Sequence, residues 1–300
     1  MCAGKMHADE IDIDADLVRR LLAARFPQWA DLPIQHVPSS GTVNVLYRLG
    51  DDMAVRLPRM AGFFDDVEKE YEWLPRLAPL LPFAIPVPLG RGTPVEGYPC
   101  LWSVYRWLEG ENPTAGRLAE PALLAKDLAE FVSAVRRVDL PGGPPAYRGG
   151  PLSTLDAPTR AAIDELNAMG GMIDVQAVTA AWDASLHALA WAGPPAWVHA
   201  DLMPGNLLTV GGRLSAVIDF GTVGVGDPAC DHIVAWNLLP AGVRNDFRTS
   251  LQVDDATWIR GRGRALSIAL IALPYYKDTN RAMADNAQHV IREVLADHQR

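Results

Sequence analysis

Residues 199–219, HADLMPGNLLTVGGRLSAVID, place a His, two Asp and an Asn at spacings that phosphoryl-transfer chemistry uses. The first part reads His-x-Asp-x-x-x-x-Asn, and the second Asp follows two short apolar runs joined by Gly211-Gly212, the composition of a two-residue hairpin turn. Counting outward from that turn pairs Val210 with Arg213 and Asn206 with Val217. Asp219 then lies two residues beyond Asn206 on the same face, roughly 7 Å along at strand rise. Pro204 and Gly205 keep the loop containing Asp201 out of a helix, which holds its carboxylate near the same point. Magnesium takes hard oxygen ligands, and Asn206 and Asp219 supply two, leaving Asp201 to orient a hydroxyl and accept its proton. His199 reads as a packed scaffold residue and stays outside the catalytic set.

A chain of 300 residues with 49% apolar and 21% charged residues can bury a large core and predicts two lobes. The formal charge of −9 argues against a nucleic-acid partner and fits weakly with a cationic ligand. Cys2, Cys100 and Cys230 are odd in number and widely spaced, so neither a disulfide framework nor a zinc site is expected, and a reducing cytoplasm fits best. The first residues lack a signal-like apolar core, and the longest apolar stretch, residues 265–272, is well short of the ~20 that a membrane span needs. A cytoplasmic protein with no membrane partner is expected.

Outward from the motif, an amphipathic stripe of Leu17, Leu21, Leu22 and Ala24 predicts a helix over 14–26. Strands are predicted at 43–49 and 53–57 around Gly50-Asp51-Asp52, a helix over 65–77 broken or ended near Pro75, and a strand within 98–107. The proline-rich segment 77–90 excludes a regular helix. Beyond residue 115 the patterning is mainly helical, with helices at 120–138, 159–169, 175–191, 229–239, 257–276 and 281–296. Residues 141–151, PGGPPAYRGGP, read as an exposed connector.

On His199-Ala200-Asp201 through Asn206, Ile218-Asp219-Phe220, and Gly226-Asp227-Pro228 with Asp231, the chain resembles the aminoglycoside phosphotransferase family of antibiotic and small-molecule kinases. The resemblance implies an α+β, two-lobed, protein-kinase-like fold, with a small β-rich nucleotide-binding lobe at 1–108 and a larger helical lobe at 109–300. It implies Asp201 as catalytic base, Asn206 and Asp219 as Mg2+ ligands, and a hinge at 103–107 (Ser103, Tyr105, Trp107) contacting the nucleotide base through its backbone. Asp227 and Asp231 read as structural supports. The family's phosphate-contacting Lys is replaced here by Arg56, which can contact phosphate bidentately. Glu70, chosen over Glu68, would orient that cation, and Ser40, Gly41 and Thr42 fall where the phosphate-covering loop belongs.

The implied activity is transfer of the γ-phosphoryl group of ATP or GTP to a small-molecule hydroxyl, with an aminoglycoside or macrolide as acceptor and antibiotic resistance as the outcome. A metabolite kinase of the same fold, or a nucleotide-binding pseudokinase, is the alternative. Asp156, Asp164, Glu165 and Asp278 are candidates for lining a cationic acceptor site, and Tyr275-Tyr276 for contacting a ligand.

Overall fold

The computed structural model describes residues 10–38, 43–60, 64–95 and 97–299. The chain divides into two compact units, one comprising residues 1–79, 84–109 and 216–221 and the other 80–83, 110–215 and 222–300. The main division falls at Glu109–Gly110, and residues 216–221, which carry Asp219, group with the first unit.

The first unit is built on a five-stranded antiparallel sheet of order β1-β2-β3-β5-β4. Its strands are β1 (Ile34–Val37), β2 (Asn44–Leu49), β3 (Met53–Pro58), β4 (Pro88–Gly92) and β5 (Trp102–Arg106). Helix α1 (Ala15–Arg25) opens the unit, its first turn capped by the Asp14 carboxylate, which accepts from Leu17 N at 2.7 Å. Leu17, Val18, Leu21 and Leu22 bury their stripe against Val45, Tyr47, Leu49, Val55, Leu57 and Trp102 of the sheet. The opposite face of β3 therefore carries Arg56 away from that core. Helix α2 (Phe64–Leu77) runs through Pro75 rather than ending there. The strands β1 and β4 were not predicted. Each is a short edge strand, and β4 begins with a proline, which an edge tolerates because one side of its backbone is unpaired.

The second unit is mainly helical: α3 (Pro121–Arg136), α4 (Asp156–Met169), α5 (Val175–Leu186), α6 (Val234–Asn237), α7 (Ala241–Leu251), α8 (Asp255–Tyr276) and α9 (Arg281–His298). Helix α8 is the central post, packed by α4, α5 and α9. Its Gly261 and Gly263 admit neighbours that a side chain would exclude, since an added Cβ would lie 2.7 Å from His232 Cβ and 2.6 Å from Ser185 Cβ respectively. The expected helix over 229–239 is instead a 3-10 segment, Pro228–Ile233, running into the single turn of α6. Strand β6 (Ala196–Val198) pairs with β9 (Gly224–Gly226), and β7 (Leu207–Val210) with β8 (Arg213–Val217). Gly211 and Gly212 turn the latter hairpin at φ +57° and +78°, as a two-residue turn of this hand requires.

The segment 141–151 departs most from expectation. It is laid onto β9: Ala146 N donates to Val225 O at 3.1 Å, Tyr147 N to Thr222 O at 3.2 Å, and Asp227 N to Gly149 O at 3.0 Å. Gly149 and Gly226 allow this approach, because a Cβ on Gly226 would sit 2.5 Å from Gly149 Cα.

His232 is wholly buried and stands beside Trp258, and among the described residues neither ring nitrogen meets a partner within hydrogen-bonding geometry. Burial, with Arg136 adding to it, pushes its pKa down to about 4. Between pH 6.5 and 4 the unfolded chain therefore binds a proton that the folded chain refuses. Stability should fall by on the order of 3 kcal/mol as pH drops through that window, and be fully present above it. Chemical denaturation of wild type and His232→Phe across pH 4–7 checks this: the variant should lose that part of the slope.

Candidate active site

In the first unit Arg56 is the centre of a polar cluster on the sheet face away from α1. Its Nη1 donates to both oxygens of Glu70, at 2.7 and 2.6 Å, and its Nη2 to Asp219 Oδ1 at 2.5 Å. Asn44 lies on the same face, two residues along from Leu46, the cross-strand neighbour of Arg56. With its carboxamide oxygen turned to the guanidinium, as the bonding pattern requires, Asn44 accepts from Nη2 at 2.8 Å and from Nε at 3.1 Å. Burial opposes the Arg56 charge, but Glu70 and then Asp219 outweigh it and hold its pKa well above the ordinary value.

Glu70 comes from α2 and is 1% exposed. It also accepts from the Tyr105 hydroxyl at 2.5 Å, and burial followed by the Glu70 charge raises the Tyr105 pKa, keeping it a donor. Glu68, the rejected alternative, pairs with Arg91 instead. Lys69, which the sequence did not single out, donates to Gly221 O at 2.5 Å and so holds the turn after Asp219. Asp219 itself has φ +63°.

Ser103 and Tyr105 lie in β5, an interior strand paired with β3 and β4, and Trp107 follows it, its N–H donating to Asp52 O at 2.7 Å. The Tyr105 hydroxyl donates to Glu70, while the Trp107 ring lies under the Arg48 guanidinium at 4.6 Å. Ser40, Gly41 and Thr42 lie outside the described residues.

In the second unit the turn leading into Asp201 is strained and tied down. Ala200 has φ +65°, which an L-residue adopts only when its surroundings impose it. Here Asp231, 1% exposed, accepts from His199 N at 2.9 Å and Ala200 N at 2.7 Å. Burial raises the Asp231 pKa. Asp201 follows: its Oδ2 accepts from Asn206 Nδ2 at 2.9 Å, and its Oδ1 from Arg148. Asn206 Nδ2 also donates to Asp201 O at 2.9 Å. Asn206 sits in the 3-10 turn Pro204–Asn206, before β7 begins, and Asp219 follows the end of β8. Strand counting therefore does not reach either residue, correcting the register argument. Asp227 is a buried support, accepting from Arg260 at 2.9 and 3.1 Å and from Arg264 at 3.2 Å.

Among the described residues no group of three or more His, Cys, Asp or Glu side chains could hold a metal ion. Magnesium does not need one, since it takes one or two protein oxygens and completes its shell with phosphate and water. Each residue, taken within its own unit, keeps an oxygen for such an ion: Asn206 commits its nitrogen to Asp201, leaving its carbonyl oxygen available, and Asp219 is 44% exposed with one oxygen on Arg56.

A sequence model of the family described as "Phosphotransferase enzyme family" matches residues 35–266. The chain belongs to that family. No curated protein matches the sequence. Among solved structures, the GDP complex of wild-type aminoglycoside 2'-phosphotransferase-IIIa is similar at TM-score 0.74 and 16% identity, with 95% of this chain and 100% of that one covered. The macrolide 2'-phosphotransferase MphH from Brachybacterium faecium gives 0.62 and 20%, with 93% and 97% covered. The streptomycin–ATP ternary complex of APH(2")-IIa gives 0.60 and 15%, with 94% and 97% covered. At these identities the likeness shows the fold, and the family match makes the protein a phosphotransferase acting on hydroxyl groups. Among the described residues no helix is long and apolar enough to cross a membrane.

The family's residue positions left Arg148 and Asn44 unremarked, because neither stands in a motif and each becomes relevant only through a contact. The Arg56 cluster predicts a stability effect. Arg56→Ala strands the buried Glu70 carboxylate and should cost about 3–5 kcal/mol of unfolding free energy. Arg56→Lys should recover part of it, as urea titration of the three proteins would show.

Proposed function

We propose that the protein is an antibiotic-type O-phosphotransferase that moves the γ-phosphoryl group of ATP or GTP to an acceptor hydroxyl. The observation that carries this is the Asp201 carboxylate, fixed through both oxygens by Asn206 and Arg148 on a strained turn. A carboxylate held this way keeps lone pairs free to align a hydroxyl and take its proton as the new O–P bond forms. Phosphoryl transfer asks for little else from the protein beyond position and charge. Asn206 and Asp219 would hold Mg2+, which supplies charge neutralisation on the phosphates when bound. Arg56, oriented by Glu70, would supply a second positive charge to them. The intact Asp201, Asn206 and Asp219 favour a working enzyme over a pseudokinase.

The acceptor in this reading is a hydroxyl of an aminoglycoside or a macrolide. Of the acids named from sequence, Asp156 accepts from Arg160 and Trp182, Asp278 pairs with Lys277, and Asp164 and Glu165 are exposed on α4. Tyr275 is 55% exposed and packs edge-on against Tyr276, outside the core.

The test is a nucleotide-consumption screen with Mg2+, offering ATP and GTP against macrolides, aminoglycosides and simple alcohols. Stimulation by an aminoglycoside or a macrolide is expected. Nucleotide binding without stimulation by any acceptor would favour the pseudokinase, and stimulation by simple alcohols alone the metabolite kinase. Asp201→Ala should lower kcat by about 10³-fold or more with the fold retained, measured by steady-state kinetics and circular dichroism.

A further inference from the structure

We propose that Arg148 is a positioning residue for the catalytic carboxylate, an assignment that rests on Asp201 as the proposed base. Arg148 lies 53 residues before Asp201 in the Gly- and Pro-rich segment 141–151, and its Nη1 donates to Asp201 Oδ1 and, at 3.4 Å, to Ala200 O. Asn206 holds the other carboxylate oxygen, so the two donors together fix the plane of the group. A carboxylate held by one donor alone is free to rotate about χ2, a broad torsion. Arg148 removes that freedom while leaving each oxygen a lone pair for the acceptor hydroxyl.

The segment is built to hold this guanidinium in place. The Arg148 carbonyl accepts from Arg264 Nη1 at 2.6 Å and from the Cys230 thiol at 2.9 Å, and the Gly150 carbonyl accepts from Arg264 Nη2 at 2.5 Å. Arg264 is 2% exposed and is itself paired with the buried Asp227. Burial pushes the Cys230 thiol up to about 12, so it remains a donor. A route of direct contacts thus runs from Asp227 through Arg264 to the Arg148 backbone, and from the Arg148 side chain to Asp201. Without this side chain the segment keeps its backbone bonds to β9 and to Arg264. Removal of the side chain should therefore misplace the carboxylate without unfolding the turn.

The experiment compares full-length wild type, Arg148→Ala, Arg148→Lys and Asp201→Asn in hydrolysis of MgATP and MgGTP, with water as acceptor. Arg148→Ala should lower kcat by about 10²-fold, the scale of a small misplacement of a reacting group, with the nucleotide KM unchanged. Arg148→Lys should recover part of the rate, and millimolar methylguanidinium should restore turnover to Arg148→Ala but not to Asp201→Asn. A wild-type kcat in Arg148→Ala beside an inactive Asp201→Asn overturns the assignment of Arg148 alone. A wild-type rate in Asp201→Asn overturns the base reading beneath it. Should hydrolysis be too slow to follow, the unfolding midpoints of both single variants and the double variant decide: non-additive shifts support the pairing and additive shifts overturn it.

Discussion

Two backbone N–H groups, from His199 and Ala200, converge on the buried carboxylate of Asp231, and the reactive side chains of the helical unit depend on that convergence. A left-handed Ala200 costs on the order of 1–3 kcal/mol and persists only where its surroundings outweigh the strain. Asp231 supplies the constraint from the 3-10 segment Pro228–Ile233, whose start is capped by the Asp227 carboxylate on Ala229 N. The turn aims Asp201 at its two donors. The Asp227 side chain also binds Arg260 and Arg264 of α8, so the central helix and the catalytic turn are held by consecutive acids of one short segment.

A second constraint follows from arginine at position 56. An ammonium there would satisfy its three donors on Glu70 and a phosphate, whereas a guanidinium brings five N–H groups in a fixed plane. Three oxygen-bearing side chains answer it, Asn44 from β2, Glu70 from α2 and Asp219 from just beyond β8, so the fork is held without a ligand. Tyr105 braces Glu70 from the neighbouring strand. The departure from the family's lysine is therefore accommodated by its surroundings.

Local pattern made many of the elements legible. The α1 stripe, the β2–β3 hairpin and the long helices α8 and α9 follow from apolar periodicity and turn chemistry, which act within a few residues. Periodicity failed where burial does not impose it. The edge strands β1 and β4 are too short to alternate clearly, and α7 exposes most of its surface, with only Arg244, Phe247 and Leu251 buried. At the site, Glu70 could be chosen over Glu68 from helix position, but its brace by the Tyr105 hydroxyl of β5 could not, because the two residues stand 35 apart in the chain.

By itself the sequence determined the family, through residue types and spacings, Asp201, Asn206 and Asp219 among them, that stand close together along the chain. Only the tertiary structure decided what holds them. Arg148 and Asp231 reach Asp201 and its turn from 53 and 30 residues away, and Asn44 and Asp219 meet at Arg56 across 175 residues. Such partners are brought together by burial and backbone pairing over the whole chain, and no local spacing encodes them. The Gly- and Pro-rich run at 141–151 shows the difference most plainly: its composition describes a loose connector, and its packing against β9 makes it the mount for the side chain that meets Asp201.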